Sequence, residues 1–208
     1  MSNHNDPIDL KNVTTDQVKS FWEEKPLCSE GNPHELGSIE FFDFYNLERE
    51  AIEPISYSYD LHEYVDFKDK KVLDVGSGNG YVLSKYATEG AEVFGIDITE
   101  AGIELCRKRF EILDLKGDFR IADAEDIPFP DNSFNKVVAM YVISVTQNPE
   151  KLIKEMKRVC KSNGDIYIVN HFSSEKDNFL IKVFEKSLMP VSKLLGWKPY
   201  FPFSDFNQ

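Results

Sequence analysis

From Lys71 onward, apolar runs of strand length alternate with helix-length segments whose apolar positions recur every three to four residues. This pattern predicts strands at 71–75 (KVLDV), 92–96 (EVFGI), 118–122, 134–142 (FNKVVAMYV) and 165–170 (DIYIVN), the last entered through Asn163-Gly164. Helices are predicted at 80–89, at 99–113 with Thr99 as cap, and at 149–160 with Pro149 in the first turn. The strands are almost continuously apolar, so each is buried on both faces. The expected fold class is therefore α/β, an open, doubly wound, mostly parallel sheet with right-handed crossovers. A ligand then belongs at the carboxyl ends of the strands.

Before Lys71 the texture is helical. Thr14 to Glu24 predicts a helix capped by Thr14 or Thr15. Pro26, Gly31, Pro33 and Gly37 mark a loop. Ser38 caps a second helix running to about Ala51, Pro54 interrupts, and Leu61 to Phe67 predicts a third short helix. The division is a helical cap over residues 1–65 and an α/β domain over 66–208.

The glycines cluster where the chemistry belongs. Asp74-Val75-Gly76-Ser77-Gly78-Asn79-Gly80 follows the first strand and opens a helix. Glycines there permit positive φ and close backbone approach to a ligand, and a helix start offers unpaired N–H groups. Two acidic positions fall on the same edge of the sheet. Asp97 ends the second strand, 19 residues after Gly78, where a carboxylate can accept both ribose hydroxyls. Asp123-Ala124-Glu125-Asp126 follows the third strand, where an acid or amide can read an adenine amino group. Taken singly, each acid also reads as a solvated loop residue or a cap.

The loop separates two cofactors. A dinucleotide fingerprint wants glycine at position 81, where Tyr81 stands. Asp74 would repel a pyrophosphate and suit a ligand with an amino group and a sulfonium, by about 4 kcal/mol at 4 Å and an effective dielectric of 20.

The stretches VLDVGSGNG, VFGID, IADAEDIPFPDNSFNKVVAMYVIS and PEKLIKEMKRVCKSNGDIYIV occur in order and resemble the core of class I S-adenosylmethionine-dependent methyltransferases of the type 11 kind, over about residues 65–175. The resemblance implies a Rossmann-like methyltransferase fold with S-adenosyl-L-methionine as cofactor. It implies that Asp74, Gly76, Ser77, Gly78 and Gly80 hold the methionine part. Asp97 would bind the ribose, Ile98 pack on adenine, and Asp123 and Ala124 meet the adenine edge. Tyr141 would line the pocket near the methyl group, or else serve as a core aromatic. The resemblance also implies a closing antiparallel hairpin. Little sequence follows Phe201-Pro202-Phe203 before Gln208, so the sheet is expected to be shortened there, leaving an uncovered edge and room for a homodimer.

The acceptor is less legible. VISVTQNP, VNHF and LGWKPYFPF resemble bacterial phospholipid (phosphatidylethanolamine) N-methyltransferases, whereas Phe21-Trp22 and GSIEFF resemble small-molecule methyltransferases of the ubiquinone/menaquinone-like group. A small-molecule acceptor is the leading expectation, with a phospholipid or a non-catalytic cofactor-binding module as alternatives. His171 is a candidate base on the substrate side, or a strand-end histidine bonded to backbone; no residue earns a catalytic assignment.

Charge narrows the partners. Net charge is −12, and residues 1–70 hold 16 acids against 6 bases while the remainder holds 20 against 18. Such a front end repels nucleic acid and anionic lipid. It reads as a solvated acidic surface or as an attractor for a cationic amine. Membrane association is not favoured on this ground, although Lys176, Lys182, Lys186 and Lys193 alternate with apolar residues in the tail. Three scattered cysteines, four histidines without ligand spacing and no leader-like segment point to a cytoplasmic protein with no metal.

Overall fold

A computed structural model describes residues 14–27 and 29–170. Three helices come first: α1 (Thr15–Glu24), α2 (Ile39–Ile52) and α3 (Ile55–His62), followed by a 3-10 turn, Tyr64–Phe67. The alternating part is β1 (Lys71–Val75), α4 (Tyr81–Thr88), β2 (Glu92–Asp97), α5 (Glu100–Ile112), β3 (Asp118–Ile121), β4 (Phe134–Met140), α6 (Pro149–Val159) and β5 (Cys160–Val169). The strands lie in the order β3-β2-β1-β4-β5 and every pair is parallel.

Alternate residues of the strands feed two cores. Val72, Val93 and Val138 face α4, α5 and the 3-10 turn, packing with Leu83, Tyr86, Ile103 and Phe110. Leu73, Val75, Ile96, Val137 and Ala139 face the other way, onto Leu152, Met156 and Val159 of α6. Burial on both sides is the reason the strands read as continuous apolar runs. The order reverses at β1, so the crevice that such a reversal opens lies over the carboxyl ends of β1, β2 and β4.

Local chemistry explains most boundaries. Thr14 caps α1 in a reciprocal box with Gln17, Ser38 caps α2 through Phe41 N, and Thr99 caps α5 through Gly102 N. Three boundaries differ from the sequence expectation. The third helix runs from Ile55 to His62 rather than 61–67, because Pro54, with φ −52°, starts the helix instead of interrupting the chain. Glu63 then ends it in the left-handed region at φ 54°. The fourth strand stops at Met140 because Tyr141 turns left-handed, with φ 62°. The fifth begins at Cys160, its pairing with β4 shifting register between Phe134 and Lys136. The tail lysines, His171 and the expected closing hairpin lie outside the described residues.

The cap is fastened to the sheet by buried cations. Lys136 on β4 is 1% exposed; its Nζ donates to His62 O at 2.8 Å and Glu63 Oε2 at 3.2 Å, and lies 4.4 Å from the Phe67 ring centroid. Arg109 on α5 donates from Nε to Asn79 O and from Nη1 to Asn46 Oδ1, each at 2.9 Å, while its guanidinium stacks on Phe42 at 4.4 Å. Both side chains carry their charge inside because every direction they face offers an acceptor or a ring.

Lys136→Ala removes one of the two donors to the His62 carbonyl, leaving the Tyr86 hydroxyl, and opens a cavity between cap and sheet. The expected cost is about 3 kcal/mol, read as a lowered urea midpoint at unchanged secondary structure.

Candidate cofactor site

The turn after β1 is built from backbone bonds. Gly76 N and Ser77 N both donate to Ile96 O, at 2.8 and 2.9 Å, which pins the loop to the neighbouring strand. Gly76, Gly78 and Gly80 all hold positive φ (74°, 49° and 75°). Their reasons differ. A Cβ on Gly76 would lie 2.3 Å from Val142 Cγ2, so the loop needs hydrogen there to pass the β4 exit. A Cβ on Gly80 would meet Cys106 Sγ at 2.6 Å; this glycine lets α4 and α5 pack together.

Asp97 latches the loop from the next strand. Its Oδ2 accepts from Gly78 N at 2.9 Å, and its Oδ1 accepts from Thr99 N at 2.9 Å and Thr99 Oγ1 at 2.7 Å. Oδ2, with a single donor, keeps a free lone pair, while both lone pairs of Oδ1 are taken by Thr99. Asp123 closes its own turn by accepting from Glu125 N at 2.8 Å. Glu125 in turn accepts from Thr146 Oγ1 and Asn148 N at 2.8 and 2.7 Å, joining the loop after β3 to the loop after β4.

Between these loops lies a cavity of ≈ 190 Å³. Of the residues expected from sequence, Gly76, Gly78, Asp97, Ile98, Asp123, Ala124 and Tyr141 line it. Asp74, Ser77 and Gly80 do not: they are buried beneath the loop. The other wall comes from the helical cap expected at the front of the chain: α1 supplies Thr15, Val18 and Trp22. That helix is held by Glu23, whose two carboxylate oxygens accept from Glu100 N and Ala101 N at 3.0 and 3.1 Å, and by Thr15 Oγ1 donating to Gln147 Oε1 at 3.3 Å. Glu23 thereby satisfies the free amides at the start of α5 and holds a charge against the positive end of that helix. Asn79, inside the 76–80 loop expected to hold the methionine part, is also on the wall.

The polar atoms left over under the loop describe its ligand. Asp74 Oδ1, Ser77 Oγ and Asn79 Nδ2 are all buried with no hydrogen-bond partner. Burial pushes the Asp74 carboxyl up to about 8, the nearby Asp97 charge adds to the rise, and Arg49 opposes it. An unpaired acid beside an unpaired amide donor fits a zwitterionic amino-acid group and disfavours a pyrophosphate. Tyr81 reinforces this: buried at the start of α4, it donates to Glu50 Oε1 at 2.9 Å and fills the space a third fingerprint glycine would leave open. Among the described residues no group of three His, Cys, Asp or Glu is arranged to hold a metal ion.

A methyltransferase-domain family model matches residues 73–168. Over 140 residues the chain is 36% identical to a phosphatidylethanolamine N-methyltransferase of Cereibacter sphaeroides, covering 66% of this chain and 68% of that protein. This chain belongs to the S-adenosylmethionine-dependent methyltransferases. The methyltransferase is also 27% identical over 128 residues to a ubiquinone biosynthesis O-methyltransferase of Coxiella burnetii, spanning 62% of this chain but only 53% of that one. The crystal structure of YcgJ from Bacillus subtilis superposes with a TM-score of 0.63 at 22% identity, covering 73% of this chain and 65% of that one, a likeness of fold. A putative methyltransferase from Bacillus halodurans C-125 gives 0.63 at 25% identity over the same shares. The cofactor is S-adenosylmethionine, and the orphaned atoms beneath the loop fit its amino-acid end.

Asp97→Ala removes the acceptor of Gly78 N along with a cavity carboxylate. S-adenosylhomocysteine binding should weaken by about 1–3 kcal/mol, or about 5- to 150-fold, in titration calorimetry. Glu23→Ala frees one end of α1 and should speed release of that ligand about fivefold, equivalent to about 1 kcal/mol, followed by stopped-flow fluorescence of Trp22.

Proposed function

We propose that this methyltransferase methylates an amine, and that the amine is the headgroup nitrogen of an ethanolamine phospholipid. S-adenosylmethionine, when bound, supplies a methyl group already activated on a sulfonium, so the protein's task is alignment and exclusion of water. In this reading Asp97 takes the ribose hydroxyls, Ile98 and Ala124 cover the adenine, Asp123 meets its edge, and Gly76 and Gly78 present backbone to the amino-acid end. Tyr141, held left-handed at the end of β4, stands between the cavity and α2 on the acceptor side.

The observation that carries the proposal is the 36% identity with a phosphatidylethanolamine N-methyltransferase, which extends over two thirds of both chains. The chemistry of the wall agrees with it. Among the described residues lining the cavity there is no histidine, lysine or cysteine, and the ionisable side chains other than Tyr141 are Asp97, Asp123 and Glu125. An oxygen nucleophile asks for a positioned base, whereas an amine needs only to be neutral at the moment of attack. The acidic character of the wall favours a cationic head over an anionic one. Among the described residues no helix is long and apolar enough to cross a membrane, so a lipid acceptor would be met at the bilayer surface.

Incubating the protein with S-adenosylmethionine and vesicles containing phosphatidylethanolamine should yield lipid heavier by one methyl group, read by mass spectrometry. Methylation of a small phenol with no lipid product would instead support an O-methyltransferase acting on a small molecule. No transfer to any acceptor despite tight cofactor binding would support a binding module.

A further inference from the structure

Asp74 is a buried acid that the fold leaves short of a donor. It is 3% exposed, its Oδ1 has no hydrogen-bond partner, and it lies on the sheet face it shares with Val72, one residue before the loop turns. The elements packed against it bring one cation and several groups that oppose its charge. From β2 comes Asp97, a like charge. From the 3-10 turn, α4 and α5 come Tyr64, Tyr86 and Cys106, whose own ionisation burial opposes. On β4 its register partner is Val138. The cation that opposes the rise is Arg49 on α2, already paired with Glu53 at 2.6 Å. A carboxylate here would be desolvated, short of a donor and faced by another acid, and such a group takes up a proton instead.

We infer that Asp74 exchanges a proton for the cofactor's ammonium group: the carboxyl is neutral in the ligand-free protein and ionises, releasing its proton to solvent, when the amino-acid end of the ligand arrives. The exchange balances. A neutral carboxyl and an ammonium become a carboxylate facing an ammonium, and one proton leaves for the buffer. The raised titration of Asp74, to about 8, sets the window: below pH 7 nearly a full proton must be displaced for each ligand bound. The free α-amino group stays charged there, since it titrates at about 7.7–8.0, so its own ionisation does not offset the count. Affinity for the cofactor consequently rises with pH through the acid range and past neutrality, levelling off only near pH 8. The inference rests on the loop being the seat of the cofactor's amino-acid end.

The test is calorimetry at pH 6.5 in buffers of different ionisation enthalpy, which counts protons directly. S-adenosylhomocysteine, whose one cation is its ammonium, should release close to one proton. 5′-Methylthioadenosine, which has the same adenosine and sulfur but no amino-acid end, should release none. With Asp74→Asn the release on S-adenosylhomocysteine should vanish. Binding by the wild type with no proton released, or with the same release from both ligands, overturns the inference while leaving the cofactor seat intact. No binding heat from S-adenosylhomocysteine overturns both. Should the Asn variant fail to fold, the wild type still decides: its association constant should climb about tenfold per pH unit between pH 5.5 and 7, and a flat profile refutes the exchange.

Discussion

The hydrogen bond from Gly78 N to Asp97 Oδ2, 2.9 Å long, is the joint on which the site depends. A glycine loop by itself has many conformations and little reason to choose one. Here the end of β2 grips it twice, through the Ile96 carbonyl below and the Asp97 carboxylate above. The same carboxylate accepts from Thr99, which caps α5, so strand, loop and helix start are set by one side chain. A loop fixed by the protein in advance removes an entropic cost from any binding event that uses it.

The remaining wall is assembled at longer range. Glu23 reaches from α1 to the amides opening α5, Arg109 reaches from α5 to the loop and to Asn46 on α2, and Lys136 reaches from β4 to the end of α3. Each contact joins a charge to a backbone or amide group of another element, and a hydrogen bond with one charged partner is stronger than a neutral one. The acidic front of the chain thus has a use in its own architecture. Glu23, Glu50 and Glu53 are fastenings, with partners on α5, α4 and within α2 respectively.

The electrostatics of the cavity follow from where the acids sit. Asp97 and Asp123 stand at strand ends, partly exposed and hydrogen-bonded, so their charge is usable. Asp74 is one layer deeper and has no donor, so its charge is costly until a cation approaches. Two carboxylates in a single site, separated by burial alone, divide the work: one shapes the loop and the other responds to the ligand.

Much of this could be read before any coordinates. Near-continuous apolar runs and period-3.6 patterning specified five strands, their parallel arrangement and the helices between them, because apolar burial is written residue by residue. The spacing of Gly76, Gly78, Asp97 and Asp123 placed four groups on one edge, because strands in a parallel sheet all end on the same side. Boundaries governed by a single dihedral were misread: Pro54 starts a helix, and Tyr141 ends a strand by turning left-handed, which nothing in its side chain announces. A helical cap was legible, but that Thr15, Val18 and Trp22 are the residues it turns to the cavity was not, for a different reason. Its position depends on Glu23 finding amides 77 and 78 residues away, and a pairing across that distance leaves no periodic trace in the chain. Sequence alone determined what binds, since the ligand's charges are mirrored in local residue types. Tertiary structure alone decided how deep each acid lies, and depth is what separates a latch from a titrating group.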